Sequence, residues 1–359
     1  MITKSGIRNN IHFVSFVGRD YSRSSTILNY QSKYFNKFYK QVDPRLRNLI
    51  PELFKFKNEI STNSIVVIMS PCHKLVIFSK LILRKKVILD AGWPLTDGVL
   101  SRGLSYKSIL NLVKIYCLDF LSFHFSDLVL VESIAQSIRI SHMFALPVTK
   151  IKVSLTGVNE KAFEREFEFS KKFQEFESDL SIDEKSFVIL FRGKINNESG
   201  IETIIASARI LEKEVKYIIA TGIKNNFKNL PSNCYVISDI SECEMRRLYE
   251  ISHIALGQIS NHNRLSHTIP HKAFEAGYFG KCFISPYAKG VSEIYSLEAI
   301  CELKNISAMD LAHAINNLRE FSNREKYEKQ IKQEYIDKCS QVKINSNFEH
   351  AVFQLIQNI

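Results

Sequence analysis

Residues 269 to 284 read IPHKAFEAGYFGKCFI, and the one carboxylate in this run, Glu275, stands among His267, His271, Lys272 and Lys281. A carboxylate has two acceptor oxygens, which suits it to gripping two neighbouring hydroxyls such as those of a ribose. Pro270 fits the first turn of a helix and Gly277 and Gly280 fit its end, so Glu275 is expected one turn after His271, ahead of the strand KCFIS. Further on, YAKGVSEIY offers Gly290, Val291 and Ser292, a small-residue loop whose backbone N–H groups suit a phosphate. A second set of cations lies in FRGKINNESGIETIIASARIL, residues 191 to 211. Arg192 closes an apolar run, Gly193 allows a tight turn, Lys194 follows, and Gly200 opens an amphipathic pattern of Ile201, Ile204, Ile205, Ala208 and Leu211. A helix N-terminus beside Arg192 and Lys194 is a place to neutralise a diphosphate. Taken singly, the same residues also read as an ordinary strand-loop-helix connection and as a surface acid paired with Lys272 or His271.

Short β-branched runs alternate with longer helical patterns along the whole chain. Strands are expected at 11–17, 65–69, 86–90, 127–131 and 151–154, separated by helical stretches near 23–40, 72–84, 104–125 and 133–143. Continuous apolar runs of this kind suit parallel strands covered on both faces. A charged stretch follows, and then a second series with strands at 186–192, 216–220, 233–237, 253–256 and 281–284 and helices at 200–213, 242–250, 271–278 and 308–320. The 359 residues exceed what one hydrophobic core usually serves, so two domains are expected. The boundaries are 1–165 for the first domain, 166–185 for a linker, 186–321 for the second domain and 322–359 for a helical tail expected to pack back on the first. The fold class is α/β, with two Rossmann-like doubly wound parallel-sheet domains in tandem.

Several chemistries are disfavoured. FVGRDYSRSS after the first strand lacks the GxGxxG spacing of a dinucleotide site, and GYFGK at 277–281 lacks the spacing and the Ser or Thr of a P-loop. His267 and His271 are separated by Pro270, which starts a helix rather than sits within one, so no metal site is expected. Seven cysteines without a CxxC pair read as small apolar residues in a reducing compartment. The formal charge of +11 favours anionic partners. The basic residues are scattered without interleaved aromatics, so nucleic acid is not among those partners. The N-terminus lacks a signal-peptide core and no run approaches the ~18 apolar residues of a spanning helix, which leads to a cytoplasmic expectation.

Together, FRGKINNESGIETIIASARIL and IPHKAFEAGYFGKCFISPYAKGVSEIY resemble the donor-binding half of GT-B glycosyltransferases of family 4, over residues 187 to 320. FSDLVLVES and KIKVSLTGVNEKAF are similar to the end of that family's acceptor domain. The resemblance implies two domains facing a cleft, a retaining transfer from a nucleoside-diphosphate sugar, and no metal or other cofactor. It gives Lys194 the place of the diphosphate-binding arginine, Glu275 that of the ribose-binding acid, and Gly290 to Ser292 a diphosphate contact. His267 stands where the common pattern has a glutamate facing the donor sugar, although one branch also lacks that acid. Ser199 stands where many members have a lysine, with Arg192 and Lys272 as substitutes. The catalytic candidates are therefore Glu275, Lys194 and His267, and the donor-binding candidates add Arg192, Gly193, Lys272, Gly290, Val291 and Ser292.

Acceptor contacts are expected from first-domain loops, at Gly18 and Arg19 and, in DAGWPLTDG, at Asp90, Trp93 and Asp97. Trp93 would stack on a sugar face. Basic segments at 33–48 and 80–86 suit an anionic membrane surface or a polyprenyl-diphosphate-linked acceptor, as in bacterial surface-polysaccharide synthesis. A nucleotide-sugar epimerase of the same fold and a noncatalytic nucleotide-sugar-binding protein are the competing readings.

Overall fold

The computed structural model describes residues 9–357 apart from 20–21, 102–105, 167, 184, 212–214, 223–226 and 228. The chain divides into one unit of Met1–Thr156 with Gln341–Ile359 and a second of Gly157–Ser340. Each is a six-stranded, wholly parallel sheet with helices on both faces.

The first unit runs β1 Asn9–Ser15, α1 Ser22–Leu28, β2 Phe35–Gln41, α2 Leu46–Glu59, β3 Ile65–Met69, α3 Lys74–Leu83, β4 Lys86–Gly92, α4 Leu95–Leu100, α5 Tyr106–Phe125, β5 Leu128–Val131, α6 Ile134–Phe144 and β6 Ile151–Val153. The strand order is β2-β1-β3-β4-β5-β6. All five residues of β3 are buried, because helices cover both faces and a central strand has no polar side to present. Leu49, Leu53 and Phe56 of α2, Leu75 and Val76 of α3 and Phe123 of α5 pack on one face.

The second unit runs α7 Glu160–Glu164, α8 Lys171–Leu180, β7 Val188–Arg192, α9 Ile201–Ile210, β8 Lys216–Thr221, β9 Cys234–Ser238, α10 Glu242–Ile251, β10 Ile254–Leu256, α11 His271–Phe279, β11 Cys282–Ser285, α12 Lys289–Ser292, β12 Cys301–Glu302, α13 Ala308–Asn317 and α14 Phe321–Glu334. The order is β12-β11-β10-β7-β8-β9. Ser241 caps α10 in a reciprocal capping box with Glu244, satisfying two end donors at once. The chain then enters α15 Gln341–Gln357, whose Ile344, Phe348, Ala351 and Val352 lie in the first unit's core with Ile11 and Phe13.

Some elements differ from the sequence expectation. The stretch 23–40, read as one helix, breaks after Leu28 and continues as β2, which pairs with β1 from Asn9↔Phe35 to Ser15↔Gln41. The fourteen-residue helix α2, with Pro51 inside it, has no counterpart in that expectation. Residues 166–185, read as a linker, hold α8, whose Phe173 and Leu180 are buried. The two helices expected as one tail belong to different units: α14 packs on α11 and β11, and α15 on α1.

In each sheet the strand order reverses between two neighbours: β1 and β3 in the first unit, β7 and β10 in the second. Open α/β sheets bind ligands beyond the carboxyl ends of the strands at such points. The loops that matter are therefore those after β1 and β3, and those after β7 and β10.

Candidate functional site

At the second unit's reversal point, β7 delivers Arg192 and α11 begins after Pro270, so Arg192 and the first turn of α11 meet. Glu275 lies one turn into α11 and is 1% exposed. Its Oε1 accepts from His271 Nδ1 at 3.1 Å and lies 3.4 Å from Arg192 Nη2. Its Oε2 accepts from the Tyr249 hydroxyl at 3.0 Å, donated by α10. Burial by itself raises the Glu275 carboxyl, but Arg192, His271 and Tyr249 outweigh it and hold it at about 2. Glu275 in turn raises the Arg192 guanidinium, against burial. Arg192 remains 34% exposed along its side chain, and its Nη1 lies 3.4 Å from His271 Nδ1.

Lys272 points the other way. It is 4% exposed, its Nζ sits 3.7 Å from the centroid of the Phe191 ring, and it donates to Gln258 Oε1 at 3.3 Å. Burial pushes its pKa well below the usual lysine value, Arg192 adds to this, and Glu275 opposes it. The ammonium packs under Gly193, where a Cβ would meet Lys272 Nζ at 3.2 Å. Lys194 is exposed in the loop that follows.

The loops after β7 and β10 are fastened together. Ile259 donates its N–H to the Ser199 carbonyl at 3.2 Å, Ser260 Oγ to the Glu198 carbonyl at 2.9 Å, and Arg264 pairs with Glu198 at 2.9 Å. Gly200, at φ +66°, lies so close that a Cβ would meet the Ile259 carbonyl oxygen at 1.8 Å, so no side chain fits. Ser199 is buried and its hydroxyl donates to the Asn196 carbonyl at 2.7 Å. Residues 290–292 form α12 rather than an open loop, and Gly290 abuts the Thr268 backbone, where a Cβ would meet its carbonyl oxygen at 2.5 Å. His267 follows a 3-10 turn at Asn263–Ser266, with Nδ1 3.0 Å from Ser266 Oγ.

The structure thus brings Arg192, Gly193, Lys272 and Glu275 together and adds His271 and Tyr249. Glu198, Ser260 and Arg264, which tie the two loops, were not singled out in the sequence. The polar run INNES signalled a loop, while its partner lies 66 residues away at Arg264. Both Glu275 oxygens already accept a hydrogen bond within the second unit, as a buried carboxylate requires.

The first unit's candidates divide differently. Gly18 and Arg19 are exposed after β1, beside Asp20 and Tyr21, which lie outside the described residues. Asp90 and Asp97, expected to hold acceptor hydroxyls, are buried and already paired. Asp90 accepts from Arg23 Nε at 2.7 Å, and Asp97 from Arg139 Nη2 at 2.8 Å. Trp93 is half-buried at the end of β4. Among the described residues no cluster of three or more His, Cys, Asp or Glu stands close enough to hold a metal ion.

No family model matches the sequence. Over 122 residues the chain is 26% identical to an uncharacterized glycosyltransferase of Methanocaldococcus jannaschii, a stretch that covers 34% of this chain and 31% of that protein. The match therefore spans about a third of the relative's length. Among solved structures, Anabaena HepE in complex with UDP-glucose is similar with a TM-score of 0.71 at 12% identity, over 96% of this chain and 99% of that one. The catalytic domain of Arabidopsis thaliana starch synthase IV, bound to ADP and acarbose, gives 0.66 at 10% identity, over 98% and 99%. At such identities the likeness speaks to the fold: two parallel-sheet domains of the GT-B glycosyltransferase type.

Proposed function

We propose that the chain is a retaining, metal-independent glycosyltransferase of family 4, moving a hexosyl group from a nucleoside-diphosphate sugar to a saccharide or polyprenyl-diphosphate-linked acceptor. Its place would be bacterial surface-polysaccharide synthesis of the lipopolysaccharide kind, peripheral to the inner face of the plasma membrane. The observation that carries this reading is the partly exposed Arg192 at the reversal point of the second sheet, oriented by the buried Glu275 and by His271 and followed by the exposed Lys194.

In this mechanism negative charge develops on the β-phosphate as the sugar leaves. Arg192 and Lys194 stabilise that charge in the place of a metal, with the Gly290 to Ser292 backbone as a further contact. Glu275 keeps the guanidinium charged and aimed, and a ribose hydroxyl reaches its carboxylate by taking the place of His271 or Tyr249. His267 faces the donor sugar, and Gly18, Arg19 and Trp93 face the acceptor. Asp90 and Asp97 act there only through the loops they hold.

Calorimetric titration with UDP, GDP, ADP and CMP tests the donor site. One nucleotide should bind selectively, and Arg192→Ala and Glu275→Ala should each weaken it by about 10- to 100-fold, the worth of a charge-assisted contact. Absence of binding by every nucleotide would sink the reading. Epimerisation of a nucleotide sugar without any acceptor would replace it with the epimerase.

A further inference from the structure

We propose that the outer surface of the α2–α3–α5 layer docks the protein on a bilayer of anionic lipid. This deepens the peripheral placement proposed above and does not depend on which sugar is transferred. The helix α5 buries Asp119, Ser122 and Phe123 against its own unit, so its orientation is fixed by packing. The opposite side of the same helix is largely apolar, with Lys114 and His124 set among its apolar side chains. Leu110 is 73% exposed and Val113 57%, and Phe120, Leu121 and Phe125 continue the stripe at helical spacing. The neighbouring α3 exposes Leu81, and beyond it α2 exposes Leu46, Ile50 and Phe54 at intervals of four. Side chains of this size, exposed to this degree on adjoining helices, make an apolar surface on the order of several hundred Å², the range in which a patch marks an interaction site.

Charge selects the partner. The one acid of α5, Asp119, is fully buried, with Oδ2 accepting from the Thr96 N–H at 2.8 Å and hydroxyl at 2.7 Å. Asp127, just past the helix, is neutralised by Lys80 Nζ at 2.5 Å. Lys114 is exposed on α5, and Arg45, Arg47 and Lys55 are exposed on or beside α2. The acid exposed on α2, Glu59, lies 3.7 Å from Lys40 Nζ. A second copy of this chain docking through the same face would bring these cations together, because a two-fold contact pairs a patch with itself. An acidic lipid surface instead accepts the apolar stripe at the head-group boundary and the cations among its phosphates.

The test is co-sedimentation of the full chain with vesicles of phosphatidylglycerol and phosphatidylcholine, against vesicles of phosphatidylcholine alone. Binding should require phosphatidylglycerol and weaken with salt. The double variant Leu110→Glu/Val113→Glu should lower the partition coefficient by about tenfold or more. Lys114→Ala should lower it by about fivefold, the worth of one cation near an anionic surface. Circular dichroism and nucleotide titration of the same samples should not change, which separates this outcome from a failure of the donor site. No vesicle binding by the wild type, or unchanged binding by the variants, overturns the proposal. A wild-type dimer that the double variant converts to monomer, without lipid binding, would make the face a self-interface instead.

Discussion

Both units place an arginine–carboxylate pair at the carboxyl edge of their sheet, and the two pairs differ in what they leave over. In the first unit Arg23 is 2% exposed, and its guanidinium donates to Asp90 at 2.7 Å, to the Thr156 hydroxyl at 3.0 Å and to the Ser154 carbonyl at 2.9 Å. The Thr156 hydroxyl in turn donates to Glu132 Oε1 at 2.9 Å. Arg23 therefore knits the ends of β4, β5 and β6 to α1, and Gly92 at φ +68° makes room for it, since a Cβ there would meet Arg23 Cδ at 3.2 Å. In the second unit Arg192 is a third exposed and its two neighbours stand at 3.4 Å. A guanidinium has five N–H donors, so Arg192 has donors to turn outward while Arg23 is sealed. The same residue pair is scaffold in one sheet and a candidate site in the other.

Removing each arginine tests this directly. Arg23→Met leaves the buried Asp90 carboxyl without its cation partner, which should destabilise the protein by about 3–5 kcal/mol in urea unfolding. Nucleotide affinity of the folded protein should stay as it is. Arg192→Met should cost only about 1–2 kcal/mol, because His271 and Tyr249 still hold Glu275, while nucleotide affinity falls. Equal stability losses, or loss of nucleotide binding from Arg23→Met while the protein remains folded, would break the contrast.

Acid titration should sharpen it. Glu275 sits at about 2 in the folded chain, below the ~4.3 of an unfolded glutamate. Its stabilisation is complete above the unfolded value and disappears as pH falls towards about 2, because the unfolded chain takes up the proton first; the loss is about 3 kcal/mol. In the first unit burial raises Asp119 to about 6 and lowers His73 to about 4. As pH falls from 6 to 4 the folded Asp119 gains protons ahead of the unfolded chain, whereas His73 resists them, so the two oppose each other. Between pH 4.5 and 2, Glu275→Gln should flatten the pH dependence of unfolding; an unaltered acid limb would mean that Glu275 is not held as described.

The sequence made the parallel sheets legible because their strands are continuous apolar runs, such as IVVIM and VILFR, that no helix of a partly wet domain would carry. It made the Arg192–Glu275 neighbourhood legible because a strand end and a proline-started helix each announce where they point. It hid β2, whose FNKFYKQ is half-exposed at the sheet edge and has the polarity of a surface helix. It hid the state of the acids as well. Asp90 and Asp97 are written in the sequence like hydroxyl-binding residues, and only the distant Arg23 and Arg139, 67 and 42 residues away, make them structural.

The smallest expected effect is at Lys194, and it separates ligand contact from packing most cleanly. Lys194 is exposed, so Lys194→Ala should change stability by no more than about 0.5 kcal/mol. If its ammonium meets the donor diphosphate, affinity should fall by about five- to tenfold, and the deficit should shrink as salt rises, since an exposed cation is screened. Lys272, buried over Phe191, should behave oppositely on substitution by methionine: its effect should appear in unfolding and persist at high salt. If the two lysines exchange these signatures, the diphosphate lies under Gly193 rather than beside the loop, and the second unit's pair would have to be read as scaffold, like the first.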